Sequence, residues 1–203
     1  MKEITLLRHG DTEATEKGYF SGWSDVPLSR RGRERIALLR PLFSDRRFQG
    51  IFVSPLSRAL ETFRLLFPEG SSFEVHEDIR ERSFGDWEGV AWEDIGKRFP
   101  EEIERWKAEP FLFTPPGGES FVQMQNRISC FWEEITSRED GRYLVVTHAG
   151  TIRCLLAHLT GMSFQTTFHL LLDPGVRLNL RHGPLFTQVV SLENSEVPTC
   201  PPF

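Results

Sequence analysis

Arg8 and His9 follow directly on the apolar run "EITLL" at residues 3–7. His148 closes a second apolar run, "YLVVT", and Arg58 stands one turn into the helical pattern behind a third, "GIFVS". In an open α/β sheet, ligands bind in the crevice outside the carboxyl ends of the strands. Two guanidiniums and two imidazoles at three such ends make a cage of donors. The planar fork of an arginine matches the oxygens of a phosphoryl group. Helix N-termini after Ser54 and His148 would add backbone N–H groups and the positive ends of two helix dipoles. The chemistry that suits this set is attack at phosphorus.

Few side chains compete for the role of nucleophile. Cys-x5-Arg is absent, because Thr136 and Thr160 stand six residues beyond Cys130 and Cys154. No G-x-x-x-x-G-K loop occurs. "DTEAT" falls short of the D-x-D-x-T pattern of aspartyl-phosphate enzymes, since Glu13 replaces the second aspartate. No H-E-x-x-H or related metal-ligand spacing is found. A histidine remains, and a neutral imidazole is a competent nucleophile toward phosphorus.

Alternating elements must position these groups. Residues 3–7, 50–54, 72–76 and 142–148 read as strands. Residues 29–43 read as a helix capped by Ser29, with Ile36, Leu39 and Phe43 at helical spacing. A second helix is expected behind Ser54 as N-cap with Pro55 at its first position. A third runs from Glu119 to about Arg138 with Phe121, Met124, Ile128 and Phe131 on one face, and a fourth runs from Ala149 to a stop at Gly161. Residues 80–118 are less regular, with weak helical patterning near 91–107 and a turn at "TPPGG". "TTFHLLLD", "VRLNLRH" and "LFTQVVSL" read as two or three closing strands. The expectation is an α/β protein, a three-layer α/β/α sandwich around a mainly parallel sheet, in one domain spanning 1–203 with a flexible tail from about 193.

Composition bounds the function. The chain has 203 residues, 39% hydrophobic, and a net charge of −5, a globular balance that disfavours nucleic acid but not a small anionic substrate held by a local arginine cluster. No apolar run approaches the roughly 18 residues of a membrane span. "MKEITLL" lacks the length and cleavage site of a secretory signal, so a cytoplasmic location is expected. Cys130 and Cys154 read as small core residues and Cys200 as part of the tail. Oligomeric state is left open, a homodimer being one arrangement allowed.

In order along the chain, "LLRHGDTE", "FSGWSDVPLSRRG", "VSPLSRALETF", "IRERSFGDWEG", "PPGGES" and "VVTHAGTIR" resemble the blocks of the histidine phosphatase superfamily, the phosphoglycerate-mutase-like fold, over residues 3–192. The resemblance implies that His9 is phosphorylated and that Arg8, Arg58 and His148 hold the phosphate. Glu81 would protonate the leaving oxygen and then activate water. Ser21 and Gly22 would lie in a substrate-contacting loop, and Ala149, where glycine is common, would lend a backbone N–H. Thr15 stands where the family often has asparagine; it can donate one hydrogen bond at a shorter reach, or the phosphate contact is lost or replaced by water. Gly10 would let the backbone pass closely and fix the second ring nitrogen of His9 through its carbonyl. Arg8 and Arg58 would lower imidazole basicity and supply the charge compensation, so no metal or cofactor is expected.

The stretch from Glu81 to His148 is shorter than in the resembling mutases, and a shorter cover admits water. A phosphatase of a small phosphomonoester is therefore expected. Mutase-type transfer and a non-catalytic phosphate-binding module are the alternatives. "FGDWE", "GESF" and "TTFHLLLDPGVRLNL" resemble the α-ribazole phosphatase branch, which makes α-ribazole 5'-phosphate one substrate among sugar phosphates, phosphoserine and nucleotides. Glu77, Asp78 and Glu88 read as solvated neighbours of Glu81. His76, His158, His169 and His182 read as packing or surface residues. Phe84, Trp87, Trp92 and Trp106 read as core and lid. Arg30, Arg31, Arg33 and Arg35 read as the solvated side of a helix.

Overall fold

The computed structural model describes residues 1–44, 46–109 and 112–194. Its strands are β1 (Lys2–Arg8), β2 (Gly50–Val53), β3 (Glu74–Val75), β4 (Arg142–Thr147), β5 (Arg177–His182) and β6 (Thr187–Glu193). They form one sheet in the order β3-β2-β4-β1-β5-β6. The pairs β3–β2, β2–β4 and β4–β1 are parallel, whereas β5 and β6 run antiparallel at one edge. Arg8 lies opposite Thr147 and Val53 opposite Val146, so three parallel strands end level with one another.

The helices are α1 (Glu13–Lys17), α2 (Arg30–Leu38), α3 (Ser57–Leu66), α4 (Trp92–Arg98), α5 (Pro100–Ala108), α6 (Phe121–Ser137) and α7 (Ala149–Thr160). Side-chain alternation along the strands sorts them onto two faces. Ile4, Leu6, Tyr143 and Val145 pack with Met124, Ile128 and Phe131 of α6 and Ile152 and Leu155 of α7. Leu7, Ile51, Val53, Leu144 and Val146 pack with Ile36 of α2 and Ala59, Phe63 and Leu66 of α3. The expected three-layer arrangement follows. A smaller cluster of Trp87, Val90, Ile95, Ile103 and Phe113 holds α4 and α5 together as a separate cap. Among the described residues no helix is long and apolar enough to cross a membrane.

Several expectations are corrected. The helix expected over 29–43 stops at Leu38 and tightens to a 3₁₀ turn at Arg40–Leu42, because Pro41 has no N–H to continue it. The patterning near 91–107 divides at Phe99, which precedes Pro100 and has φ −134° and ψ 61°. The third helix begins at Phe121 behind a Ser120–Gln123 capping box, leaving Glu119 outside it. "TTFHLLLD" holds a 3₁₀ turn at Thr166–His169 and no strand. Glu193, placed in the tail from sequence, ends β6 and pairs with Arg177 at 2.9 Å. Residues 195–203, including Cys200, lie outside the described residues. Cys154 is buried as expected, but Cys130 is exposed. Arg35 is not solvated: it is 6% exposed and pairs with the equally buried Asp11 at 2.8 Å.

Candidate active site

The level ends of β1, β2 and β4 carry the sequence onward into one place. His9 N donates to Thr147 O at 2.9 Å and Ser54 N donates to Val146 O at 3.0 Å, so strand pairing holds both residues after the strands proper end. His9 Nδ1 lies 2.7 Å from Gly10 O. A carbonyl only accepts, so Nδ1 carries the proton and Nε2 keeps its lone pair. A Cβ on Gly10 would lie 2.6 Å from Ile36 Cγ1, which is why the turn that supplies this carbonyl has no side chain.

His148 is fully buried, and its ring lies 5.0 Å from that of His9, tilted by 59°. Arg58 Nε donates to His148 Nδ1 at 3.2 Å, which leaves the proton on Nε2, where it is donated to Ser54 Oγ at 2.7 Å. The two imidazoles therefore hold opposite tautomers. Burial, then the charges of Arg58 and Arg8, push His9 well below the usual imidazole range. Burial, Arg58, His9 and Arg8 do the same to His148. Both rings are neutral at pH 7.

Neutral burial has a consequence for stability. The unfolded chain takes up protons at both histidines below about pH 6.5, whereas the folded chain does not. The stability they contribute is fully present above that pH and drains as pH falls through the window below it. The urea midpoint is expected to fall between pH 7 and pH 5, and a flat profile contradicts neutral burial.

Arg58 sits on α3 with its other nitrogens on the 21–25 loop. Nη1 donates to Ser24 O at 3.0 Å and Nη2 to Gly22 O at 2.6 Å. A Cβ on Gly22 would lie 2.0 Å from Arg82 O, so the loop packs backbone against backbone. Among the described residues the Ser21 hydroxyl is buried without a hydrogen-bond partner. Glu88 is not a solvated competitor of Glu81. Its carboxylate accepts from Trp23 N at 2.8 Å, Phe84 N at 3.0 Å and the Ser24 hydroxyl, and so fixes the same loop. Ser54 does not cap α3. The helix starts at Ser57, whose N–H and hydroxyl both donate to Asp25 at 2.7 Å. Asp25 takes the capping role, and Ser54 is thereby left to orient His148.

Arg8 Nη1 donates to Leu172 O, and among the described residues its Nε is buried without a partner. Burial lowers its pKa, while Glu81, Asp11 and Asp173 act the other way. Glu81 Oε1 accepts from Arg82 N at 2.9 Å, and Oε2 accepts from Gly150 N at 2.9 Å. Trp23 Nε1 and Arg127 Nη2 donate to its backbone carbonyl at 2.9 and 3.0 Å. Arg127 also pairs with Glu119 at 2.7 Å, with the two side chains 12% and 9% exposed, so α6 clamps the segment that carries Glu81. Glu77 pairs instead with Arg80 at 3.1 Å.

Ala149 opens α7, where helix geometry leaves the first N–H groups without intrahelical acceptors. Thr15 is engaged locally. Its hydroxyl donates to Thr12 O at 2.8 Å and accepts from Thr12 N at 2.8 Å, in a capping box of α1 that uses its one proton. Three of the other histidines bond away from this set: His76 with Glu134 at 3.0 Å, His158 with Ser129 at 3.5 Å and His182 with Thr187 at 2.9 Å.

Gly150 was not singled out from sequence, yet a Cβ there would lie 2.1 Å from Glu81 Oε1. Gly150→Ala is expected to push the carboxylate off both donors and lower kcat by about 10–100-fold, the scale of misplacing a reacting group by an ångström. Retention of wild-type kcat contradicts this geometry.

The arrangement has close counterparts. Phosphoserine phosphatase 1 of Hydrogenobacter thermophilus is 32% identical over 168 residues, covering 81% of this chain and 79% of its own. A 2,3-bisphosphoglycerate-dependent phosphoglycerate mutase of Cytophaga hutchinsonii is 29% identical over 182 residues, covering 86% and 85%. The crystal structure of the alpha-ribazole phosphatase from Shigella flexneri superimposes with a TM-score of 0.88 at 28% identity, covering 95% of this chain and 96% of that one. The histidine phosphatase superfamily (branch 1) profile matches residues 4–194, from the first strand through the last, and the chain belongs to that superfamily.

Proposed function

We propose that this chain is a phosphomonoesterase working through a phosphohistidine at His9. The observation that carries the reading is the pinned tautomer: Nδ1–H on Gly10 O leaves a neutral Nε2 lone pair beside Arg8, Arg58 and His148. In the first step Nε2 attacks phosphorus, the bond from phosphorus to the ester oxygen breaks, and Glu81 passes its proton to that oxygen. In the second step Glu81 takes a proton from water as the water oxygen attacks. The P–N bond then breaks, returning its electron pair to Nε2, and inorganic phosphate leaves. The guanidiniums of Arg8 and Arg58 balance the charge on the phosphoryl oxygens. That is the support for a reaction that runs without a metal.

The first substrates to assay are phosphoserine and α-ribazole 5'-phosphate, named by the relatives. Among the described residues Cys130 forms no disulfide, and its exposed thiol fits a reducing compartment such as the cytoplasm.

Hydrolysis of p-nitrophenyl phosphate with and without EDTA tests the reading. Turnover that survives the chelator supports it. No turnover favours a phosphate-binding module, and loss on chelation removes metal independence. The mutase-named relative keeps transfer between hydroxyls as the second reading. Fast isomerisation of 3-phosphoglycerate in the presence of 2,3-bisphosphoglycerate, with little free phosphate, would favour it.

A further inference from the structure

Trp23 is a large apolar side chain that the fold leaves 41% exposed. Directed contacts hold it where burial does not. Its backbone N–H donates to Glu88 Oε1 at 2.8 Å, and its indole Nε1 donates to the Glu81 carbonyl at 2.9 Å. The guanidinium carbon of Arg80 stands 3.9 Å from the centre of its ring. One side chain thus meets the chain on both sides of the Glu81 Cα, through the Arg80 side chain before it and the carbonyl after it. A cation over an indole face is an electrostatic attraction, and it fixes the ring at a site where little apolar area is removed from water.

The carboxyl of Glu81 must lie within hydrogen-bond reach of the oxygen it protonates. Its direction follows from the two peptide planes that flank its Cα, and both carbonyls of those planes are held. Arg80 O accepts from the Thr151 hydroxyl of α7 and from Arg127 Nη1 of α6, each at 2.8 Å, and Arg127 Nη2 reaches Glu81 O at 3.0 Å. Trp23 supplies a donor to the second carbonyl from the 21–25 loop. Arg58 grips that loop on either side of Trp23, at Gly22 O and Ser24 O. Three consecutive residues therefore connect the cation that balances phosphoryl charge with the backbone of the group that protonates the leaving oxygen.

Resting on the phosphatase reading, we propose that Trp23 is a positioning residue for Glu81. Its indole ties the peptide that follows Glu81 to the loop gripped by Arg58, and so sets the acid's place relative to the phosphoryl group. It acts through Glu81 and not on the phosphate.

Trp23→Phe tests this, because it keeps an aromatic face for Arg80 and removes only the indole N–H. The quantity to read is kcat/KM followed by release of glycerol or p-nitrophenolate, which covers the steps up to the phosphohistidine. The variant is expected to lower kcat/KM for glycerol 3-phosphate by about three- to tenfold, the scale of one hydrogen bond. The ratio of glycerol 3-phosphate to p-nitrophenyl phosphate should fall with it, since p-nitrophenolate leaves without a proton. In a Glu81→Gln background the same substitution should cost glycerol 3-phosphate less than about twofold, because the group it places is gone. An unchanged substrate ratio overturns the proposal. So does the full loss repeated in the Glu81→Gln background, the mark of a merely structural role. Should Trp23→Phe fail to fold, Arg80→Met decides. It uncovers the indole but leaves its N–H, and it is expected to lower the same ratio by about two- to fivefold, the scale of an exposed cation–π pair. An unchanged ratio there overturns the proposal. Alcohol released by transfer to a second hydroxyl, with little free phosphate, would count against the phosphatase reading alone, because the ratio is fixed before the phosphoryl group leaves His9.

Discussion

His9→Ala is expected to lower kcat/KM for p-nitrophenyl phosphate by about 10⁴–10⁶-fold, the scale of removing the nucleophile from a covalent mechanism. The physical reason is that the other imidazole of the site cannot take its place. His148 has its Nδ1 occupied by Arg58 and its Nε2 proton on Ser54, so neither nitrogen offers a lone pair. The substitution also leaves Gly10 O buried without its donor, at a cost of about 1–3 kcal/mol. The rate must therefore be measured below the variant's own unfolding transition. A loss under tenfold would mean that the phosphoryl group never passes through residue 9.

Glu81→Gln should separate two classes of substrate. An alkyl leaving group needs a proton as it departs, and losing general acid help is expected to slow glycerol 3-phosphate hydrolysis by about 10²–10⁴-fold. p-Nitrophenolate leaves without a proton, so phosphorylation of His9 by p-nitrophenyl phosphate should change far less. The second step still lacks its base. A stopped-flow trace should show a burst of one p-nitrophenolate per chain followed by slow turnover. Glutamine also turns one N–H₂ toward a backbone donor, either Arg82 N or Gly150 N, so the side chain loses one of its two anchors. Equal slowing of both substrates with no burst would place the acid elsewhere.

The parallel sheet and the convergence of Arg8, His9, Arg58 and His148 were legible because each depends on local pattern. Apolar runs mark buried strands, and the residue after such a strand is delivered to a known edge of the sheet. The tautomer of His9 was legible too, since Gly10 had to supply a bare carbonyl at the next position. The support around the site was not, because it is made by residues far apart in sequence. Asp25 caps α3 from 32 positions away, and Ser54, the local candidate for that cap, bonds His148 across 94. Glu88 reads as one carboxylate in an acidic stretch, and only the fold brings Trp23, Ser24 and Phe84 to it. Arg35 reads as one charge in a basic run. Asp11, three residues past the end of β1, is what takes it out of solvent. Thr15 shows the opposite case, a local bond. A threonine three residues after Thr12 completes a capping box locally, and that use consumes the hydroxyl proton a phosphate would need.

The proposed mechanism has a neutral imidazole in a ring of fixed cations accept the phosphoryl group. Quenching turnover of a ³²P-labelled monoester in denaturant and mapping the label tests it. A phosphate on His9, stable to alkali and lost in acid, is expected at up to one per chain in Glu81→Gln. Label on another residue, or a quenched wild-type and Glu81→Gln chain carrying none, would contradict it.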